Sequence, residues 1–124
     1  MNHLNHNARW LLACIFLCMS QLSVAATADE EVSHLINFIA QSNATFIRNG
    51  DEHTSTEAAD HLAMKYRKAK RYAKTADDFI ENLASKSSWS GKAYTVILPD
   101  SSTLTANKWL TDELARFRAI EKPQ

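Results

Sequence analysis

The sequence predicts an α+β domain in which four helices accompany a small antiparallel sheet. Residues 57–74 form a long helical pattern without Gly or Pro, and their small and apolar side chains recur three and four positions apart. Residues 45–54 combine β-branched and aromatic side chains with Asn49-Gly50, the dipeptide that favours a type I′ hairpin turn. Residues 93–98 alternate in the manner of a strand. Few strands beside several helices are typical of the α+β class.

The central helix is predicted to begin at Ser55 as its N-cap, with Glu57 in the first turn. It is predicted to continue to Lys74. Its buried stripe is expected to contain Ala59, Leu62, Tyr66, Ala69 and Ala73.

Three further helices are predicted around the central one. Residues 29–41 are amphipathic and begin with acidic side chains, which stabilise a helix N-terminus. Thr75 is expected to cap a third helix, with Asp78 in the capping-box position, and this helix should end near Ser85. Thr105 is expected to cap the last helix.

The first 26 residues have the organisation of a secretory signal peptide. A polar start is followed by an apolar run over residues 10–19, and small residues at 24–26 suit a signal peptidase. The apolar run is about half the roughly 20 residues that a membrane-spanning helix needs. We therefore expect cleavage after residue 26 or 28, a single mature domain over residues 27–124, and no transmembrane segment after cleavage.

Both cysteines, Cys14 and Cys18, lie inside the predicted signal peptide. The mature chain is therefore expected to have no disulfide, no thiol nucleophile and no cysteine-based metal site. The residues before Cys14 loosely resemble a lipidation motif, but the apolar segment that precedes this cysteine is too short for an exported lipoprotein.

Four motifs at close spacing resemble one known family. They are TFIRNG at residues 45–50, EAADHL at 57–62, TADDFIENLASKSS at 75–88 and SGKAY at 90–94. The pattern is similar to the YfeK-like family of small secreted proteobacterial proteins (domain of unknown function 5329). The resemblance implies an exported bacterial protein, and it implies no activity, substrate or catalytic residue.

The candidate ligand-binding surface combines the hairpin, the polar face near His61 and the loop over residues 85–92. Arg48 is interpreted either as a ligand anchor or as an edge-strand charge that blocks strand addition. The loop carries hydroxyl groups and two lysines near Gly91, which suit an anion, although the plain interpretation is a flexible connector. The predicted ligand-binding residues are Arg48, Asn49, His61, Lys65, Ser87, Ser88 and Lys92.

No catalytic residue, metal site or cofactor is predicted. The mature histidines lack the HxxxH and HExxH spacings of zinc sites, which need three or four ligands. The nearest approach to an acid–base pair is Glu57 with His61, four residues apart on one helix.

The basic residues between 65 and 74 are interpreted chiefly as a solvated helix surface. They spread around the helix instead of forming one stripe, and the chain as a whole is balanced, with 14 basic and 14 acidic residues. Nucleic acid is therefore not expected as a partner.

The leading prediction is a non-enzymatic periplasmic module that binds an envelope protein or a cell-wall component. The first alternative is a small envelope hydrolase that uses His61 and Glu57. The second is a polyanion-binding protein that uses the basic helix over residues 65–74.

The signal-peptide prediction is checked by the N-terminus of the protein recovered from its host. Mass spectrometry of the intact mature protein should place the first residue at Thr27 or Asp29. A chain that retains Met1, or one that carries a lipid on Cys14, would contradict export by this route.

Overall fold

The fold is given by a computed structural model that describes residues 25–121. Within this range the α+β class is confirmed, with four helices and a four-stranded antiparallel sheet. Almost all of the predicted signal peptide, and residues 122–124, lie outside the described range. The elements are α1 (Ala28–Gln41), β1 (Thr45–Arg48), β2 (Asp51–His53), α2 (Ser55–Lys68), α3 (Ala76–Phe79), β3 (Thr95–Ile97), β4 (Thr103–Thr105) and α4 (Ala106–Glu121).

The sheet has the strand order β2-β1-β3-β4, and every neighbouring pair is antiparallel. Asn49 and Gly50 join β1 to β2 with φ angles of 52° and 81°, so the predicted type I′ hairpin is confirmed. The interpretation of Arg48 as an edge-strand charge is wrong, because β1 lies between β2 and β3.

One face of the sheet contributes to the core. Phe46 of β1 and Val96 of β3 are directly paired and both are buried. The helices complete this core, and α1 packs most extensively against α2. Its largest fully buried side chains are Phe79, Leu35, Ile39, Leu62, Leu110, Leu114, Val32 and Val96.

The central helix α2 begins one residue earlier than predicted, and Thr54 caps it instead of Ser55. The Thr54 hydroxyl accepts a hydrogen bond from the Glu57 N–H at 3.1 Å, and the Glu57 carboxylate accepts one from the Thr54 N–H at 3.4 Å. This is a complete capping box. Ser55 is buried, and its hydroxyl donates to the Ala40 carbonyl at 3.2 Å, which links α2 to α1.

The same helix ends at Lys68, six residues before the predicted end. A 3₁₀ turn over Lys70–Tyr72 follows. Like charges four residues apart, such as Lys70 and Lys74, destabilise a continuous helix. Ala73 is buried after the turn, so tertiary packing sets the chain path here against the local helix propensity.

The predicted boundaries of the later elements agree with the structure except in β3. Thr75 caps α3 by accepting from the Asp78 N–H at 3.0 Å, and α3 continues through a π-helical turn over Ile80–Ala84. Strand β3 is shorter than the predicted 93–98 segment, because Ala93 forms only an isolated bridge to Lys86. Thr105 caps α4 as predicted, accepting from the Lys108 N–H at 3.2 Å.

Candidate functional site

Six of the seven predicted ligand-binding residues surround one cleft of about 280 Å³, which we call the basic cleft. The exception is Lys92, which is exposed and lies outside the cleft lining. The cleft is lined by Arg48, Asn49, His61, Lys65, Ser87, Ser88, Trp89 and Tyr94. It lies where the β1–β2 hairpin, helix α2 and the loop over residues 85–92 meet.

The sheet places Arg48 and Tyr94 on the same face. Phe46 pairs with Val96, and side chains two residues apart in a strand point to the same side. Extending this register by two residues sets Arg48 opposite Tyr94. The aromatic rings of Phe46 and Tyr94 pack edge to face with centroids 6.2 Å apart. Because Arg48 lies on the same sheet face as these two buried rings, it is adjacent to the core.

Helix α2 contributes His61 and Lys65, which are four residues apart and share one face. Between them, Leu62 is only 1% exposed, so this face is held against the core. Lys65 is also buried, and its Nζ donates to the Tyr94 hydroxyl at 3.3 Å. The ammonium group lies 5.3 Å from the centroid of the Tyr94 ring, which adds a cation–π interaction.

The loop over residues 85–92 forms one wall of the cleft and is hydrogen-bonded both within itself and to the hairpin. The Ser87 hydroxyl accepts hydrogen bonds at 3.2 Å from the Asn49 side-chain amide and from the N–H groups of Trp89 and Ser90. The Gly91 N–H closes the turn on the Ser87 carbonyl at 2.9 Å. Ser90 also donates to the side-chain oxygen of Asn49. Asn49 and Ser87 therefore position the loop.

Two lining residues, Trp89 and Tyr94, were absent from the predicted set. Trp89 is 90% exposed although it lies in an ordered loop. A tryptophan beside Gly in an otherwise polar loop was an available signal for a contact residue, since exposed aromatic residues mark binding surfaces. Tyr94 was predicted as a strand residue. Its part in the cleft is the contact with Lys65, whose ammonium group donates to the Tyr94 hydroxyl.

Two basic side chains of the cleft differ from the other lysine and arginine residues of 25–121 because they combine burial with a lack of ion pairs. Among the lysine and arginine residues there, only Arg48, Lys65 and Arg118 are buried or half-buried. Arg118 pairs with two carboxylates. Across the same range, neither Arg48 nor Lys65 forms an ion pair, although Asp51 lies opposite Arg48 on the neighbouring strand.

The protonation states follow from this arrangement. Burial lowers the pKa of Lys65, and the positive charge of Arg48 lowers it further. Burial is also the main reason that the pKa of His61 falls from 6.5 to about 4, with smaller contributions from Arg48, Lys65 and His53. His61 is therefore neutral at pH 7, with one ring nitrogen able to donate and the other able to accept.

The predicted acid–base pair of Glu57 and His61 is not assembled. Glu57 is occupied by the Thr54 cap and lies 3.7 Å from the ring nitrogen of His53 instead of bonding to His61. The Thr54 hydroxyl is the main cause of the lowered pKa of Glu57. Glu57 and His61 line a small apolar recess of about 10 Å³ next to the basic cleft, and this recess also contains Ala58 and Leu62.

Neither a metal site nor a membrane span is apparent in the described part of the chain. No group of three or more His, Cys, Asp or Glu residues is placed there to hold a metal ion. None of the helices described there combines the length and the apolar character needed to cross a membrane.

These features define a small α+β domain with a cationic cleft that has an aromatic residue at its rim. The sequence of this domain assigns the chain to a family. The chain belongs to the family of unknown function DUF5329, which matches residues 26–118. It is 34% identical over 85 residues to the uncharacterised protein YfeK of Salmonella typhimurium, an alignment that spans 68% of this chain and 71% of YfeK. No solved structure matches the chain.

The neutrality of His61 predicts a pH dependence of stability. Its pKa is lower in the folded protein than in the unfolded chain, so the unfolded state binds more protons between about pH 6.5 and 4. Folding stability associated with this group is fully present above pH 6.5 and decreases as the pH falls through that interval. Urea unfolding of wild type and His61→Gln at a series of pH values should show a flatter profile for the variant. An NMR titration in which the His61 ring protonates near pH 6.5 in the folded protein would contradict the assignment.

Proposed function

We propose that this protein is a non-enzymatic binding module of the bacterial cell envelope, and that it captures an anionic group of an envelope component in the basic cleft. One observation carries the proposal. Lys65 is buried and Arg48 is half-buried, and within the described residues neither has the carboxylate partner that Arg118 has.

A bound anion would offset the electrostatic cost of this arrangement. Removing a charge from water is unfavourable unless a counter-charge or hydrogen bonds replace the lost hydration. The lowered pKa of Lys65 reflects both its burial and the repulsion from Arg48. A carboxylate or phosphate between Arg48 and Lys65 would stabilise the charged form of Lys65 and so raise its pKa, and a guanidinium group can bind either anion with two parallel hydrogen bonds.

The exported location is supported by the order of polar, apolar and small residues before Thr27, which is the order of a secretory signal. In a bacterium with two membranes, export by such a leader would deliver the protein to the periplasm. The partner is then an envelope protein or a cell-wall component that presents an acidic group.

Binding is favoured over catalysis by the state of the two candidate catalytic residues. A general base must reach its proton and must be oriented by a further group. His61 is available to hydrogen-bond a ligand, but Glu57 is committed to the helix cap and does not orient it. The arrangement provides electrostatic attraction and hydrogen-bond donors for a ligand without an assembled acid–base pair.

The basic segment over residues 65–74 does not form a single polyanion surface. Lys65 is buried in the cleft, Lys70 pairs with Asp29 at 3.2 Å, and Arg71 stacks on the Tyr72 ring at 4.8 Å. Three basic residues of the segment are therefore engaged within the protein, and Arg67, Lys68 and Lys74 remain as separate exposed cations.

The proposal is tested by capture from a bacterial envelope extract. Immobilised mature protein should retain an acidic component that elutes with salt, and Arg48→Gln or Lys65→Met should each weaken retention by about tenfold or more. Arg67→Gln is the matched control, because Arg67 is an exposed cation on the same helix as Lys65. Equal retention by wild type and both cleft variants, with their folding confirmed by circular dichroism, would contradict the proposal.

A further inference from the structure

The indole of Trp89 is a large, exposed apolar surface in the described part of the chain. It is 90% exposed, whereas Trp109 is 8% exposed and packs on Phe38 with ring centroids 4.7 Å apart. Tyr72 is also exposed, but the Arg71 guanidinium covers its ring at 4.8 Å. Within residues 25–121, no aromatic ring or cation stacks on Trp89.

The backbone beneath Trp89 is held in place. Its N–H donates to the buried Ser87 hydroxyl at 3.2 Å, and the Gly91 N–H closes the turn two residues later. The Asn49 side chain fastens the same turn to the hairpin. The backbone that carries the indole is therefore held at the rim of the basic cleft, so a ligand that stacks on Trp89 has less of the loop to order on binding.

From this arrangement we infer that the ligand of the basic cleft is an acidic saccharide. One face of its sugar ring packs on Trp89, and its carboxylate or phosphate lies between Arg48 and Lys65. The ring hydroxyls are then placed near the Ser88 hydroxyl and the neutral His61 ring, each of which can donate or accept a hydrogen bond. This inference rests on the proposed function, because it specifies what the same cleft binds.

The size of the cleft supports a short ligand. A volume of about 280 Å³ lies at the lower end of the range for small-molecule pockets. The neighbouring apolar recess of about 10 Å³ has room for no more than a methyl-sized group. One acidic sugar ring, or the acidic end of a longer glycan, is the portion that the cleft can enclose.

An extended peptide is less well suited to the same cleft. Strand β1 lies between β2 and β3, so it is not an edge strand to which a peptide could add. The recess is too small for most side chains. A nucleobase would also stack on Trp89, but the Asn49 amide is oriented by its bonds to Ser87 and Ser90 and is not free to turn toward a base edge.

The inference is tested by NMR titration of the mature protein with matched probes. Glucose 1-phosphate and glucuronic acid are the acidic sugars, glucose is the neutral ring, and inorganic phosphate is the anion without a ring. Both acidic sugars should bind saturably and more tightly than either glucose or phosphate. Uridine monophosphate and acetyl-alanyl-glutamate represent the nucleotide and peptide alternatives and should bind more weakly than the acidic sugars.

Variants separate the contribution of ring stacking to ligand affinity from the contribution of charge. Trp89→Ala should weaken binding of the acidic sugars by about two- to tenfold and leave phosphate affinity unchanged. Trp89→Phe should recover part of the loss. Tyr72→Ala is the matched control, because it removes an exposed aromatic ring outside the basic cleft, and it should have no effect.

The outcomes also distinguish the inference from the proposed function. If Trp89→Ala leaves acidic-sugar affinity unchanged, or if the nucleotide or the peptide binds more tightly, the saccharide inference is wrong and the anion-binding cleft stands. If Arg48→Gln fails to weaken phosphate and acidic-sugar binding, the proposed function itself is wrong. Absence of saturable binding of both acidic sugars would also overturn the inference.

Discussion

Tyr94 connects the parts of the structure that create the basic cleft. Its ring is 2% exposed and packs against Phe46, its N–H donates to the Ser85 carbonyl, and its own carbonyl accepts from the Ala106 N–H, both at 2.9 Å. Its hydroxyl meets the buried ammonium group of Lys65. One residue thus fixes the loop, the start of α4, the sheet and the cationic side chain relative to one another.

This connection places two cations in one cleft, although neither forms an ion pair within the described residues. The helix face that carries Lys65 is held against the core by Leu62, and Arg48 is directed to the same side by the pleat of β1. The low pKa of His61 prevents a third positive charge from adding to the repulsion at neutral pH. The cleft therefore has a buried and a half-buried cation with the Trp89 indole at its rim, and this arrangement is the basis of the proposal that it binds an anion.

Much of the fold was predictable because its signals are local. The Asn49-Gly50 hairpin, the Thr75 cap and the Thr105 cap depend on a few neighbouring residues, and the structure has all three. The end of α2 was not predictable in this way. It depends on the burial of Ala73, and burial is decided by tertiary packing that no local pattern reports.

The candidate site shows the same division. The polar residues of the hairpin, of α2 and of the loop could be identified as a group, and the structure brings six of the seven together. The pairing of Glu57 with His61 was inferred from helical spacing alone, whereas the Thr54 cap competes for the same carboxylate. The role of Tyr94 depends on contacts between segments distant in sequence, so composition and periodicity could not assign it, whereas the tryptophan in a polar loop was a signal that could have identified Trp89.

The most direct test of an anion-binding cleft is the pKa of the Lys65 ammonium group, measured by NMR on its side-chain signals with and without inorganic phosphate. The unliganded protein should show a pKa of Lys65 below the ordinary lysine value, because burial and Arg48 both disfavour the charge. Saturating phosphate should raise the pKa of Lys65 and leave the side-chain signals of exposed Lys108 unperturbed. An unchanged Lys65 pKa at saturating phosphate, or an equal shift at Lys108, would contradict the account.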